Sequence, residues 1–349
     1  MFLTDLWYFG ALSTQVKTGA PIHVQIAGQP VLIGRDNTGK VFALRDICPH
    51  RAMPLSRGRQ IEAEDGQTQI ECAYHGWRFG VDGVCTAIPS LNEDQKEAMT
   101  RGKIRTRRFA ADEAQGLIRI YFAQDETAAP LMAAPRLDHV GDSTPGLSVS
   151  MMFDCPLDHA IIGLMDPAHI AYIHRQWWWR TAKSIHNKEK KFGPLERGFS
   201  MLPHVPSSNS FLYKLLGSKP QTEIRFELPG LRTEYVLVGG RQVTGFTAVT
   251  PVDDEHTKIT IALYWDHPLL NVIPNFLLRN AITTFAGQDR DAVEAQQEGL
   301  KYDPRLMLIH DADVQAMWYF KLKKEWAEAR AKGRAFVNPV KPATLRWRS

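Results

Sequence analysis

Cys48-Pro49-His50-Arg51 is followed by Cys72-Ala73-Tyr74-His75-Gly76-Trp77, with 21 residues between His50 and Cys72. Each half sets one thiol and one imidazole on a short loop, as Cys-x-His and Cys-x-x-His. Two cysteines and two histidines can hold zinc, and ligand type alone does not choose between zinc and iron. Two loops that each supply one Cys and one His also suit a two-iron cluster in which the cysteines bind one iron and the histidines the other. The chain has four cysteines. Cys85 and Cys155 lack a partner at ligand spacing and read as small core residues. Too few cysteines remain for a disulfide framework, so metal binding is the expected use.

Outward from these loops, short apolar runs alternate with turn residues. His23 to Ile26, Pro30 to Gly34, the turn Asp36-Asn37-Thr38-Gly39, Val41 to Leu44, and Trp77 to Phe79 before Val81-Asp82-Gly83 all read as antiparallel β-hairpins. A Pro- and Ala-rich stretch within 127–145 breaks the pattern and is expected to be a linker. The domains expected are therefore 1–126, all β, and 146–335, followed by a basic tail over 336–349. In the second domain strands are predicted over Leu147 to Phe153, Glu223 to Leu228, Thr233 to Val238, Gln242 to Val249 and Thr257 to Trp265. Helices are predicted over Pro156 to Ile173, Asn271 to Gly299 (entered through Pro274) and Asp311 to Ala331. The fold class is α+β, with a mostly antiparallel sheet and helices packed on it.

Asp166-Pro167-Ala168-His169-Ile170-Ala171-Tyr172-Ile173-His174 is a second constellation, Asp-x-x-His-x4-His. Histidines five apart on a regular helix diverge by about 140°, so both reach one metal only if the helix is bulged or ends between them. Asp166 before Pro167 reads as an N-cap followed by Pro at the first helical position.

Together the motifs resemble those of the Rieske non-haem iron oxygenases, in the single-subunit monooxygenase and demethylase-like group. Arg51 after the first His, and Tyr74, Gly76 and Trp77 around the second, match the family's Cys-Pro-His-Arg and Cys-x-Tyr-His-Gly-Trp forms. The resemblance implies Cys48, His50, Cys72 and His75 as [2Fe–2S] ligands, and a catalytic domain of helix-grip type after the cluster domain. It implies His169 and His174 as two ligands of a mononuclear Fe(II), whose 2-His-1-carboxylate triad leaves positions open. Gln288-Asp289-Arg290-Asp291-Ala292-Val293-Glu294 matches the family's Asp five residues before a Glu, which implies Asp289 as the carboxylate with Asp291 as runner-up. Asp166 matches the carboxylate that bridges a ligand His of the iron and a cluster His. In the family that bridge crosses to the next subunit of a ring-shaped trimer, so a homotrimer is implied. Many relatives carry Asn or Glu where this chain has Gly163, which suggests a roomier or wetter iron surround. The resemblance runs from Phe2 to about Gly299.

Composition bounds the rest. The 349 residues carry a net charge of +4, too little to suggest nucleic acid. Lys321, Lys323, Lys324, Arg330, Lys332 and Arg334, then Lys341, Arg346 and Arg348, form either a solvated helix face with a tail or a docking site for an acidic partner. Met1 to Leu12 lacks a secretory signal's features and no apolar run is long enough to span a membrane, so a cytoplasmic protein is expected. Trp177-Trp178-Trp179 and Phe211 to Leu216 read as packing aromatics, or as an apolar mouth admitting substrate and touching a membrane surface. No dinucleotide fingerprint and no second cluster motif appears, so electrons are expected from a separate NAD(P)H-dependent reductase or ferredoxin. The function expected is a terminal oxygenase, mono- or dioxygenase, that uses O2 to hydroxylate or demethylate a hydrophobic aromatic or fused-ring compound. The rival from another class is a Rieske electron carrier whose second domain binds a hydrophobic ligand without iron.

Overall fold

The computed structural model describes residues 2–92, 95, 104–174, 185–206 and 220–349. Trp177-Trp178-Trp179 and Phe211 to Leu216 lie outside the described residues. The chain divides into two compact units, 2–136 and 137–349. Strands predominate in both, and the helices are few.

The N-terminal unit holds β1 (Leu6–Leu12), β2 (Ile22–Ile26), β3 (Gln29–Arg35), β4 (Val41–Arg45), β5 (Arg59–Glu62), β6 (Thr68–Glu71), β7 (Arg78–Gly80), β8 (Cys85–Ala87), β9 (Arg108–Ala114) and β10 (Leu117–Phe122). Six of them form a sheet in the order β1-β10-β9-β4-β3-β2, and β5-β6-β7-β8 form a second. The Cys48 loop leaves β4 and the Cys72 loop joins β6 to β7. Beneath both loops Leu32, Leu44, Leu55, Ile70 and Phe79 are buried with Cys85, which is thus a core residue as expected.

The C-terminal unit is built on β11 (Leu147–Phe153), β12 (Asn187–Leu195), β13 (Gly198–His204), β14 (Gln221–Glu227), β15 (Leu231–Val238), β16 (Arg241–Pro251), β17 (Thr257–Trp265) and β18 (Ala343–Arg348). They form one sheet in the order β11-β17-β16-β15-β14-β13-β12-β18, antiparallel at every pairing. Helices α1 (Leu157–Met165), α2 (Ile170–Ile173), α3 (Pro268–Val272), α4 (Asn275–Leu300) and α5 (Val314–Ala331) complete it. α4 packs on β11 and α1. α5 buries Trp318, Tyr319, Leu322 and Trp326, and Lys323 reaches Asp158 of α1 at 2.6 Å.

Two expectations are corrected. The segment read as a basic tail contains β18, whose alternate residues Leu345 and Trp347 are buried while Thr344, Arg346 and Arg348 face out. The helix predicted over Pro156 to Ile173 is two helices, because Pro167 lacks the N–H that would continue the first. Of the cationic residues read on and after the last helix, Lys323, Arg330 and Arg334 are engaged within the chain, with Asp158, Trp326 and Glu325, while Lys321, Lys324 and Lys332 are exposed.

Candidate functional site

The two N-terminal loops are near copies of each other. Cys48 N–H donates to Met53 O at 2.8 Å and Cys72 N–H to Trp77 O at 2.8 Å, while the Cys48 and Cys72 carbonyls accept from Ala52 at 2.9 Å and Gly76 at 3.0 Å. The fourth residue after each cysteine is left-handed, Ala52 at φ 56° and Gly76 at φ 69°, which closes the loop and is the reason a glycine suits the second. Both sulfurs are buried, whereas His50 is exposed and His75 half-buried. The two imidazole centroids lie 4.6 Å apart, and Trp77 stacks on His50 at 4.6 Å and 7°.

Burial pushes the Cys48 thiol up to about 11, against backbone N–H groups of His50 and Arg51, and the nearby Cys72 sulfur adds to the rise. Such a thiol loses its proton to solvent on binding a metal, whose charge inverts the local preference. Two buried sulfurs and two more exposed imidazoles on paired loops suit a two-iron cluster in which sulfur holds one iron and nitrogen the other.

The second constellation converges through a break in the helix. α1 stops at Met165, Asp166 turns extended (ψ 118°), and Asp166 Oδ1 accepts the Ala168 N–H at 2.7 Å. His169 and His174 then cap the two ends of α2, and His174 leaves helical geometry at ψ 70°. The end of α2 before His174 lets the two Nε2 atoms lie 3.3 Å apart. Asp289 Oδ1 of α4 lies 3.3 Å from His169 Nε2 and 3.1 Å from His174 Nε2. Donors about 2.1 Å from a first-row ion and at right angles to one another are about 3 Å apart, so these three atoms could hold one on a single side. Asp291 instead turns to solvent and bonds Arg290.

Neighbouring groups orient each donor. His174 is buried, stacks on Phe285 at 3.5 Å and bonds Gln288 Oε1 through Nδ1 at 2.9 Å. That bond leaves the Nε2 lone pair for a metal. His169 Nδ1 lies 3.5 Å from Asp166 Oδ2. Burial opposes charge on His169, but the Asp166 and Asp289 carboxylates outweigh it and push its pKa up to about 9. Burial likewise opposes charge on Asp289, yet its two histidines hold it below the usual carboxylate range. The space beside Gly163 is taken by Val293: a Cβ at 163 would lie 2.8 Å from Val293 Cγ2.

The three donor atoms sit on the wall of a cavity of about 420 Å³, within the range of small-molecule sites. Ile170, Ile224, Phe226, Ile259, Ile261 and Phe285 give it an apolar lining. Lys188, Lys190, His204, Arg232 and Glu234 also line it. The sequence motifs did not point to these residues, which are scattered over three strands. Only the sheet order brings them together.

Residues 6–107 match the family model of the Rieske [2Fe-2S] domain. Residues 153–329, more than half of the chain, match the vanillate O-demethylase oxygenase C-terminal domain. The chain belongs to the Rieske non-haem iron oxygenase family. The chain is 28% identical over 183 residues to the chloroplast protein TIC 55 of Pisum sativum, across 52% of its own length and 31% of the relative's. It is 31% identical over 176 residues to the oxygenase component of chloroacetanilide N-alkylformylase from Rhizorhabdus wittichii, across 50% and 47% of the two chains. The matched stretch thus spans less than half of either curated relative. In fold it is similar to dicamba monooxygenase bound to dicamba, with a TM-score of 0.77 at 21% identity over 95% of this chain and 99% of that one. The paired Cys and His loops fit the [2Fe–2S] cluster of a Rieske domain, and the His169, His174 and Asp289 donors are compatible with non-haem iron.

Proposed function

We propose that this Rieske oxygenase is the terminal oxygenase of a multi-component system that hydroxylates or oxidatively demethylates a hydrophobic ring compound. When bound, the [2Fe–2S] cluster supplies single electrons and the mononuclear iron activates O2, so that one oxygen atom enters the substrate and the other leaves as water. Cys48 and Cys72 would hold one iron of the cluster, and the more exposed His50 and His75 the other. His169, His174 and Asp289, which line the cavity, would hold the mononuclear iron. The apolar lining excludes water and orients the substrate ring. Asp166 fixes the His169 tautomer, and with its side chain 34% exposed it retains a face for a cluster histidine of a neighbouring copy in a trimer. A separate reductase or ferredoxin docks near the exposed Arg51 and Arg57, in the cytoplasm.

The observation that carries this reading is the convergence of His169 Nε2, His174 Nε2 and Asp289 Oδ1 within 3.1 to 3.3 Å on the wall of an apolar cavity. An electron carrier with a passive second domain has no use for that arrangement. Metal analysis tests it: the oxygenase carries three irons per chain and the carrier two. Turnover of ring substrates with a surrogate reductase, scored by product mass, tests the activity.

A further inference from the structure

Each of the two cluster loops is entered past a carboxylate, Asp46 two residues ahead of Cys48 and Glu71 one residue ahead of Cys72. Their counter-charges differ. Glu71 Oε1 accepts from Arg59 Nε at 2.8 Å and Oε2 from Arg78 Nε at 2.9 Å. Both guanidiniums keep their charge at any working pH. Burial opposes charge on Glu71, but the two arginines hold it below the usual carboxylate range.

The Asp46 side chain has no exposed surface. Its Oδ1 accepts the Ser56 N–H at 2.7 Å and its Oδ2 the Ser56 hydroxyl at 2.6 Å, which ties the two ends of the Cys48 loop together. The same Oδ2 lies 2.6 Å from Nδ1 of His23 on β2. Among the described residues, His23 is the one charged or titratable side chain that meets Asp46, and Asp46 the one that meets His23. A buried carboxylate is costly without a counter-charge. Here the counter-charge falls to an imidazole whose side chain is 50% exposed, where solvent protons reach it.

Two residues of chain span at most about 7 Å, so Asp46 stays close to Cys48. The potential of an iron–sulfur cluster follows the net charge around it. A nearby negative charge disfavours the added electron and a positive one favours it. We propose that Asp46 and His23 set the reduction potential of the cluster as an opposed pair, Asp46 lowering it and protonated His23 raising it. The proton on His23 then adjusts the driving force for electron transfer, while Glu71 between its two arginines contributes a fixed background. This rests on the Rieske domain alone and is independent of the mononuclear iron and of the substrate.

Optical redox titration of the cluster in the full-length protein tests it without turnover. At about pH 5.5, where histidines are mostly protonated, Asp46→Asn should raise the potential and His23→Gln should lower it. Each shift should be about tenfold in the one-electron equilibrium, or about 59 mV. The double variant should return close to the parent. Ser56→Ala, which loosens the loop without changing its charge, should leave the potential in place. Between about pH 5.5 and 8.5 the parent should pass from the potential of His23→Lys toward that of His23→Gln, all three read at the same pH so that ionisation of the imidazole ligands cancels. Single variants that move the potential in one direction, a Ser56→Ala shift as large as that of Asp46→Asn, equal potentials for His23→Lys and His23→Gln, or a gap between parent and His23→Gln that pH leaves unchanged would each overturn the proposal. Should Asp46→Asn fail to assemble a cluster, the two His23 variants decide alone, since that side chain is half exposed.

Discussion

His174 Nδ1 bonds Gln288 Oε1 at 2.9 Å, and Gln288 is the residue just before Asp289 on α4. One helical turn therefore supplies both a donor to the metal and the group that orients another donor. Gln288→Leu leaves Asp289 in place but frees the His174 ring to change tautomer. Affinity for the mononuclear iron should fall about 10–100-fold. Chelator competition followed at fixed cluster absorbance measures this, and unchanged affinity would show that Phe285 stacking alone holds the ring.

Asp289→Ala should remove about one iron per chain with the cluster spectrum intact, because it deletes one of three protein donors. Asp291→Ala should leave iron content unchanged, since that carboxylate faces solvent beside Arg290. Iron counting on the two variants separates the positions that the sequence pattern alone left as leader and runner-up.

The candidate ligands were legible because cluster chemistry needs Cys and His at short fixed spacing, and strands such as β11 and β17 because their apolar residues alternate over at least seven positions. β12 was not legible as a strand. Asn187-Lys188-Glu189-Lys190-Lys191 shows no apolar alternation because the inward positions hold lysines. β13 carries Pro203, which reads as a strand breaker but is tolerated beside the irregular pairing between Met201 and His204. β18 does alternate, but Arg346 and Arg348 disguised it as a basic tail. The convergence of His169 with His174 was legible only as a condition, because it depends on the helix ending between them, as α2 does at Ile173.

Trp347 tests the corrected reading of the C-terminus. It is 9% exposed on the strand that pairs with β12. Trp347→Ala should cost about 3 kcal/mol in urea unfolding, at the lower end for a buried aromatic because the site is on a sheet edge. A dispensable tail would give no change.

Arg51 and Arg57 are exposed next to the cluster loops. Changing both to Gln should slow cluster reduction by an acidic ferredoxin and flatten its salt dependence, since steering is screened over about 8 Å at physiological ionic strength. Lys324, whose side chain is 80% exposed on α5, is the control. Stopped-flow traces in which Lys324→Gln, and not the arginine pair, loses the salt dependence would move the docking surface to the C-terminal helix.

Gly163 and Val293 decide how closely α1 approaches α4. In an exposed helix Gly→Ala gains about 1 kcal/mol. Here the new methyl would meet Val293 Cγ2 at 2.8 Å. Val293 has little room to yield, because a β-branched side chain in a helix keeps one favoured χ1. Overpacking of this kind costs about 1–3 kcal/mol, so Gly163→Ala should be neutral to about 2 kcal/mol destabilising. In a Val293→Ala background the clash is gone and only the helix term remains, so the same substitution should stabilise by about 1 kcal/mol. Urea unfolding of the four proteins gives the coupling directly as a double-mutant cycle. Equal effects of Gly163→Ala in the two backgrounds would mean that the helices separate freely and that Val293 does not set their distance. If the coupling is found, Gly163→Asn should be tolerated only together with Val293→Ala.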